Sequence, residues 1–205
     1  ENLLLANGFS SAEGSEPFEQ QVCAQCHSLR TELQPFLGSY HDAFQLSAVA
    51  EPLYHADGQI KEEVFVMGSF AQSRMHDMGV TCSNCHEPHS LNLLAEPNQV
   101  CAQCHLPTVY DTPEHHFHEM DSAGAVCVDC HMPATNFMMI DARRDHSIRI
   151  PRPDLSEQSD TPNACTECHT DDSVQWAADH FNTWWPEVEP HYSEYLIDSP
   201  QPETT

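Results

Sequence analysis

The sequence predicts a mostly irregular, loop-rich fold of short α-helices with little or no β-sheet. Two observations predict it. Five copies of one unit, Cys-x-x-Cys-His, are spread over 205 residues, and fifteen prolines stand against seven glycines. A chain so rich in proline turns often and keeps few long regular elements. The units are Cys23-Ala-Gln-Cys26-His27, Cys82-Ser-Asn-Cys85-His86, Cys101-Ala-Gln-Cys104-His105, Cys127-Val-Asp-Cys130-His131 and Cys165-Thr-Glu-Cys168-His169, and they use all ten cysteines. Three of the five lie in the stretch from Thr81 to Met132, around which the rest is organised.

The spacing is that of covalent c-type haem attachment. Two thiols three positions apart on one turn can each form a thioether to a vinyl group of the same haem, and the next imidazole lies under the iron as its proximal ligand. Zinc sites also use Cys-x-x-Cys pairs, but they need neither a histidine after every second cysteine nor an odd number of pairs. A disulfide framework would leave cysteines outside these units. Five haem c groups leave about forty residues to enclose each, so the core is expected to be mostly porphyrin with chain wrapped around it.

The formal charge is −25, from 32 acids against Lys61 and six arginines. Nucleic acid and anionic membrane surfaces are poor partners for such a chain. No stretch approaches the eighteen or so apolar residues of a membrane span. Because c-type haems are attached outside the cytoplasmic membrane, Glu1 reads as a mature N-terminus after signal removal, in a protein that is extracellular, at the cell surface or periplasmic.

In chain order, residues 1–22 form an N-terminal arm, either flexible or docked on a neighbouring subunit. Residues 23–185 form the five-haem domain. Its longest gap, between the first and second units, holds His41, His55 and His76, with a turn at Ala56-Asp57-Gly58 and a stretch from Lys61 to Phe70 that reads as either strand or helix. Arg143, Arg144, Arg149 and Arg152 cluster around His146 and suit pairing with haem propionates. Ser173 is placed to cap a helix running to Trp185, with Val174, Ala177, Ala178, Phe181 and Trp185 on one face and Pro186 stopping it. Residues 186–205 form an acidic tail.

Five histidines, His27, His86, His105, His131 and His169, serve as proximal ligands. Ten remain for five distal positions, enough to close every iron with a second imidazole and to give low-potential bis-histidine haems. His55, His76, His89, His118 and His146 rank first, with His41, His115, His116, His180 and His191 as reserves. His89 follows His86 too closely to reach the same iron from the other face, so any iron it binds belongs to another unit. Met132, Met138 and Met139 read as packing residues.

The runs Gly68-Ser-Phe70, Arg74-Met-His-Asp-Met-Gly-Val-Thr-Cys-Ser-Asn-Cys-His-Glu-Pro-His89, Tyr110-Asp-Thr-Pro-Glu-His-His-Phe-His118, Cys127 to Pro133, Arg144-Asp-His-Ser147, Pro151-Arg-Pro-Asp-Leu155 and Thr161-Pro-Asn-Ala-Cys165 resemble multihaem cytochromes c of the c552/c554 type, including members fused to tetratricopeptide repeats. The resemblance covers roughly residues 23–185; this chain stops soon after its last unit, without repeats. Small chains of this kind also resemble subunits of extracellular cytochrome filaments, where a subunit can lend a histidine to its neighbour's haem. The resemblance implies electron transfer in a homopolymeric nanowire, with other redox proteins or extracellular acceptors as partners. A discrete periplasmic or surface carrier is the alternative. The enzyme reading, an oxidoreductase acting on small nitrogen compounds, requires an open iron, and no Cys-x-x-Cys-Lys unit marks one.

Overall fold

A computed structural model of the chain describes residues 18–35, 38–90, 92–188 and 192–198. Among these residues, twelve short α-helices are separated by loops: α1 (Phe18–His27), α2 (Tyr40–Ala43), α3 (Met67–Phe70), α4 (Arg74–Asp77), α5 (Pro97–Cys101), α6 (Pro107–Tyr110), α7 (Pro113–His116), α8 (Cys127–His131), α9 (Pro153–Ser159), α10 (Ala164–Cys168), α11 (Val174–Trp184) and α12 (Tyr192–Asp198). Four of them open on a proline, which starts a helix at no hydrogen-bond cost because the first N–H has no partner in any helix. Two antiparallel strand pairs are the only sheets among the described residues: β1 (Arg30–Glu32) with β2 (Phe44–Leu46), and β3 (Ala134–Phe137) with β4 (Asp141–Arg144). The loop-rich class expected from proline content is therefore the one observed.

Ser173 caps α11 by accepting from the Trp176 N–H at 3.0 Å, and Ala177, Ala178 and Phe181 are the buried face. The turn at His55–Gly58 closes with the Gly58 N–H on the His55 carbonyl at 2.9 Å, and glycine accommodates its φ of 87°. The stretch from Lys61 to Phe70 resolves to a single helical turn, α3, after an irregular approach. The helix carrying the first unit begins at Phe18, so the last residues assigned to the arm belong to the body; residues 1–17 lie outside the described residues. In the C-terminal segment, α12 returns to the body, where Arg152 Nη1 donates to Glu194 at 2.5 Å.

Apolar packing is fragmentary. One small cluster joins Ala24, Tyr40 and Met67 with Phe44 against it, and Ala177, Ala178 and Phe181 form another buried patch on α11. Polar side chains do much of the joining instead. Glu19 of α1 accepts from Ser83 N and Ser83 Oγ, both at 2.7 Å, and so clamps the first unit on the turn Cys82–Asn84 of the second. Gln103 donates to the Asn84 carbonyl at 3.3 Å, linking the third unit to the second. Asn98 of α5 donates to Ala125 O at 2.9 Å and accepts from Cys127 N at 3.0 Å, which caps α8 and ties the third unit to the fourth.

Replacing Asn98 with alanine removes both bonds and leaves the α8 N-terminus without its cap. We expect Asn98→Ala to destabilise the holoprotein by about 1–2 kcal/mol, read from the denaturant midpoint at unchanged haem content. A midpoint equal to that of the unsubstituted chain would show that the clamp is idle.

Candidate haem and iron-ligand sites

Each attachment unit lies on one turn of helix. In the second, third and fifth, the histidine N–H donates to the carbonyl of the first cysteine at 2.9 Å. That closure puts the two thiols of a unit on one side, as residues three apart on a helix must be. None of the ten cysteines is in a disulfide, and eight of them are half-buried. Burial, together with the neighbouring Cys23, pushes the Cys82 thiol up to about 12, and burial raises Cys85, Cys104, Cys130 and Cys165 as well. Thiols held neutral disfavour a thiolate metal site at these positions.

The units meet one another in sequence order. Cys23 and Cys82 are within hydrogen-bonding reach, and Cys101 and Cys127 likewise. Cys85 senses Cys104, and Cys130 senses Cys165 and Cys168. The described residues bring one group of three donors to a common point, Glu19, Cys23 and Cys82, with ligand atoms within 4.8 Å of one another. Both its cysteines belong to attachment units, so it marks the junction of the first and second units.

Three of the histidines that close attachment units face a second imidazole. His86 faces His146 with ring centres 6.3 Å apart and planes at 27°; His131 faces His115 at 6.1 Å and 13°; His169 faces His118 at 6.1 Å and 40°. Two imidazoles sharing a metal lie about 6 Å apart between ring centres, from a metal–nitrogen bond of about 2 Å on each side and about 1 Å from each nitrogen to its ring centre. The spacing is too wide for ring stacking in contact and fits a shared iron. The second ring nitrogens are held as ligating histidines require: His131 Nδ1 is 2.8 Å from the Arg149 carbonyl, His146 Nδ1 is 2.9 Å from the Arg144 carbonyl, and His118 Nδ1 is bonded to the His116 carbonyl. Burial pushes His86, His115, His131 and His146 below the usual imidazole range, which keeps the neutral, lone-pair form at neutral pH. The donor set thus fits haem c, with these six histidines placed to close three irons.

His27 and His105 face no second imidazole among the described residues; the ring beside His105 is Tyr110, edge-on at 5.4 Å. The other ranked histidines are elsewhere. His55 is half-buried in its turn, with its N–H on the Gln59 carbonyl. His76 packs edge-on against Phe70 at 5.5 Å, its buried Nδ1 without a hydrogen bond. His89 is 92% exposed, with Nδ1 held by Glu87 at 2.9 Å. Of the reserves, His115 takes a facing position. His41 lies edge-on to Tyr40 at 5.1 Å, His116 has a buried Nε2 without a partner, and His180 is bonded to the Trp176 carbonyl at 2.9 Å. His191 lies outside the described residues.

The clustered arginines meet carboxylates of the chain itself. Arg143 pairs with Glu63 and Asp141, Arg144 with Asp129, Arg149 with Asp57, and Arg152 with Asp154 and Glu194. With 32 acids in the chain, carboxylates of the protein itself already meet these guanidinium groups. Sequence reading also missed the aromatic wall around the ligands: Trp176 lies 4.8 Å from the His169 ring, Trp185 5.6 Å from His115, and Tyr110 5.4 Å from His115. Only the bulk of these residues in a chain short of other core could have signalled it.

Residues 88–170 match the family model described as cytochrome c7 and related cytochrome c, a span of about two fifths of the chain that includes the third, fourth and fifth units. No curated protein matches. Among solved structures, the fold is similar to the crystal structure of the outer cell wall cytochrome OcwA, with a TM-score of 0.63 and 16% identity over 85% of this chain and 53% of that one. The chain therefore spans about half the length of that protein. The loop-rich fold resembles that of a multihaem cytochrome.

Proposed function

We propose that the chain is an electron-transfer protein carrying five covalently bound haems, and that it works as a subunit of an extracellular cytochrome filament. The c7-type match and the cytochrome fold support the coarser part of that reading. The observation that carries it is the set of facing imidazoles, because an iron closed on both sides can exchange electrons but offers no position to a substrate. Haem, when bound, supplies the one-electron iron couple. The chain's own work is to hold the proximal and distal nitrogens in place, keep those imidazoles neutral, and bring consecutive attachment turns into contact in series.

The filament reading draws on His89 and on the two imidazoles that face no partner within the described residues. The Glu87 carboxylate binds His89 Nδ1 and accepts the N–H groups of His89 and Ser90, at 3.1 and 2.6 Å. These bonds orient an exposed ring with Nε2 turned outward, the posture of a ligand offered to another molecule. The similarity to an outer cell wall cytochrome supports an extracellular or surface location. Among the described residues no helix is long and apolar enough to cross a membrane. A c552/c554-type origin is the finer form of the same reading, and a discrete surface or periplasmic carrier is its alternative.

The native holoprotein in filaments should stay inert to carbon monoxide after reduction at neutral pH. Carbon monoxide binding there would reveal an open iron and favour the oxidoreductase reading. His146→Ala should open the iron of the second unit alone, adding a single carbon monoxide site per chain while all five haems stay attached.

His89→Ala should keep five attached haems but run as dispersed particles in electron micrographs, with a new carbon monoxide site. Filaments that persist with an unchanged low-spin spectrum would remove His89 from any ligand role.

A further inference from the structure

Three charged residues around His146 are deeply buried: Asp57, Asp145 and Arg149, respectively 6%, 7% and 6% exposed. They converge from distant parts of the sequence. Arg149 Nη1 donates to the Asp57 carbonyl and carboxylate at 3.2 and 3.3 Å, and Arg149 Nε donates to Ser147 Oγ at 2.9 Å. Asp145 accepts from Ser147 N at 2.8 Å, from Ile60 N at 3.1 Å and from the Ser69 hydroxyl. Gln59 completes the cluster, donating to Asp57 Oδ2 and to the Pro162 carbonyl, both at 2.7 Å.

Two iron ligands hang directly from this cluster. Arg149 is joined to His131 twice, its N–H on the His131 carbonyl at 3.1 Å and its carbonyl on His131 Nδ1 at 2.8 Å. His146 follows Asp145 in sequence, and the Asp145 N–H donates to the Pro133 carbonyl at 3.0 Å. So His146, which faces His86, lies in the segment 145–149 whose side chains join this buried ion cluster, and His131, which faces His115 from the end of α8, is hydrogen-bonded to the backbone of the same segment. The third pair, His118 with His169, follows α7 and α10 in the chain and lies against the aromatic wall.

We propose that the Asp57–Arg149–Asp145 cluster is a positioning device that sets the ligand geometry of two irons together, those of the second and fourth units. It rests on the ligand pairing proposed above. Buried charges of this kind contribute little net stability against an apolar replacement, yet removing one partner leaves another uncompensated, so the segment must shift when the cluster is broken. The shift acts through His131 Nδ1, which governs how strongly that imidazole donates, and through the tilt of the His146 ring.

The test uses holoprotein with five haems confirmed by mass, and follows low-spin electron paramagnetic resonance signals through a redox titration. His146→Ala, His115→Ala and His118→Ala in the native background each remove one signal and assign it; if they do not, the ligand pairing itself fails, independently of the cluster. Asp57→Asn, nearly isosteric, should then shift the g values and midpoint potentials of the two signals assigned by His146 and His115 and leave the His118 signal in place. Arg149→Lys, which keeps the charge but not the fork, should shift the same two signals less than Arg149→Met does. A shift confined to one iron, spread equally over all of them, or absent in Asp57→Asn overturns the proposal.

Discussion

Three imidazoles, each fixed beside its own attachment turn, meet a second imidazole about 6 Å away that a different part of the chain delivers, and much of this structure follows from that arrangement. The deliveries cross one another. His146, which lies between the fourth and fifth units in sequence, faces the histidine of the second; His115 and His118, between the third and fourth, face those of the fourth and fifth. Short helices are the consequence. An element that must present a cysteine pair, stop, and send the chain back to place a ligand elsewhere has no use for a fifth turn, and α11, of eleven residues, is the longest described.

Crossing deliveries leave little room for a conventional apolar core, and the chain substitutes specific polar bonds. Glu19, Asn98, Asn163 and Ser173 each satisfy the N–H groups at the start of a turn that carries or abuts an attachment unit. A cap of this sort contributes about 1 kcal/mol, comparable with burying a methylene group, and unlike apolar contact it fixes orientation as well as proximity. Orientation is what a ligand nitrogen needs. The same logic explains why the arginines near His146 bind protein carboxylates: Arg144 also donates to the Val128 and Met132 carbonyls at 3.1 Å, holding the C-terminal end of α8 where His131 emerges.

What could be read from the sequence was the chemistry carried by adjacent residues. The five units, the capped helix after Ser173, the turn at Gly58 and the loop-rich class all depend on spacings of a few positions, and they were legible for that reason. Distal pairing depends on long-range folding and was legible only in part. His118 and His146 stood out by position and do face proximal rings, whereas His115 did not stand out from its neighbour His116. The missing information is a backbone angle. Phe117 adopts φ of 57°, a left-handed conformation uncommon for a phenylalanine, and this bend after α7 sends His115 and His118, only three residues apart, to two different units. Packing of the Phe117 ring on Trp184 at 4.3 Å, with planes at 3°, holds the bend, and no local pattern announces such a contact.

Charge sets the terms on which this chain can associate. Of its seven basic residues, Lys61 pairs with Glu51, and the four arginines from 143 to 152 are occupied by acids of the same chain. With 32 acids in the chain, carboxylates far outnumber the basic groups that remain. Two such chains repel at long range, but that repulsion is screened beyond about 8–10 Å at physiological ionic strength, whereas a nitrogen–metal bond acts at about 2 Å. On the filament reading, then, salt permits approach and a short, directional ligand contact supplies the specificity. An exposed imidazole steadied by its own carboxylate, as His89 is by Glu87, suits that division: the acid that adds to the repulsion also holds the ring that ends it.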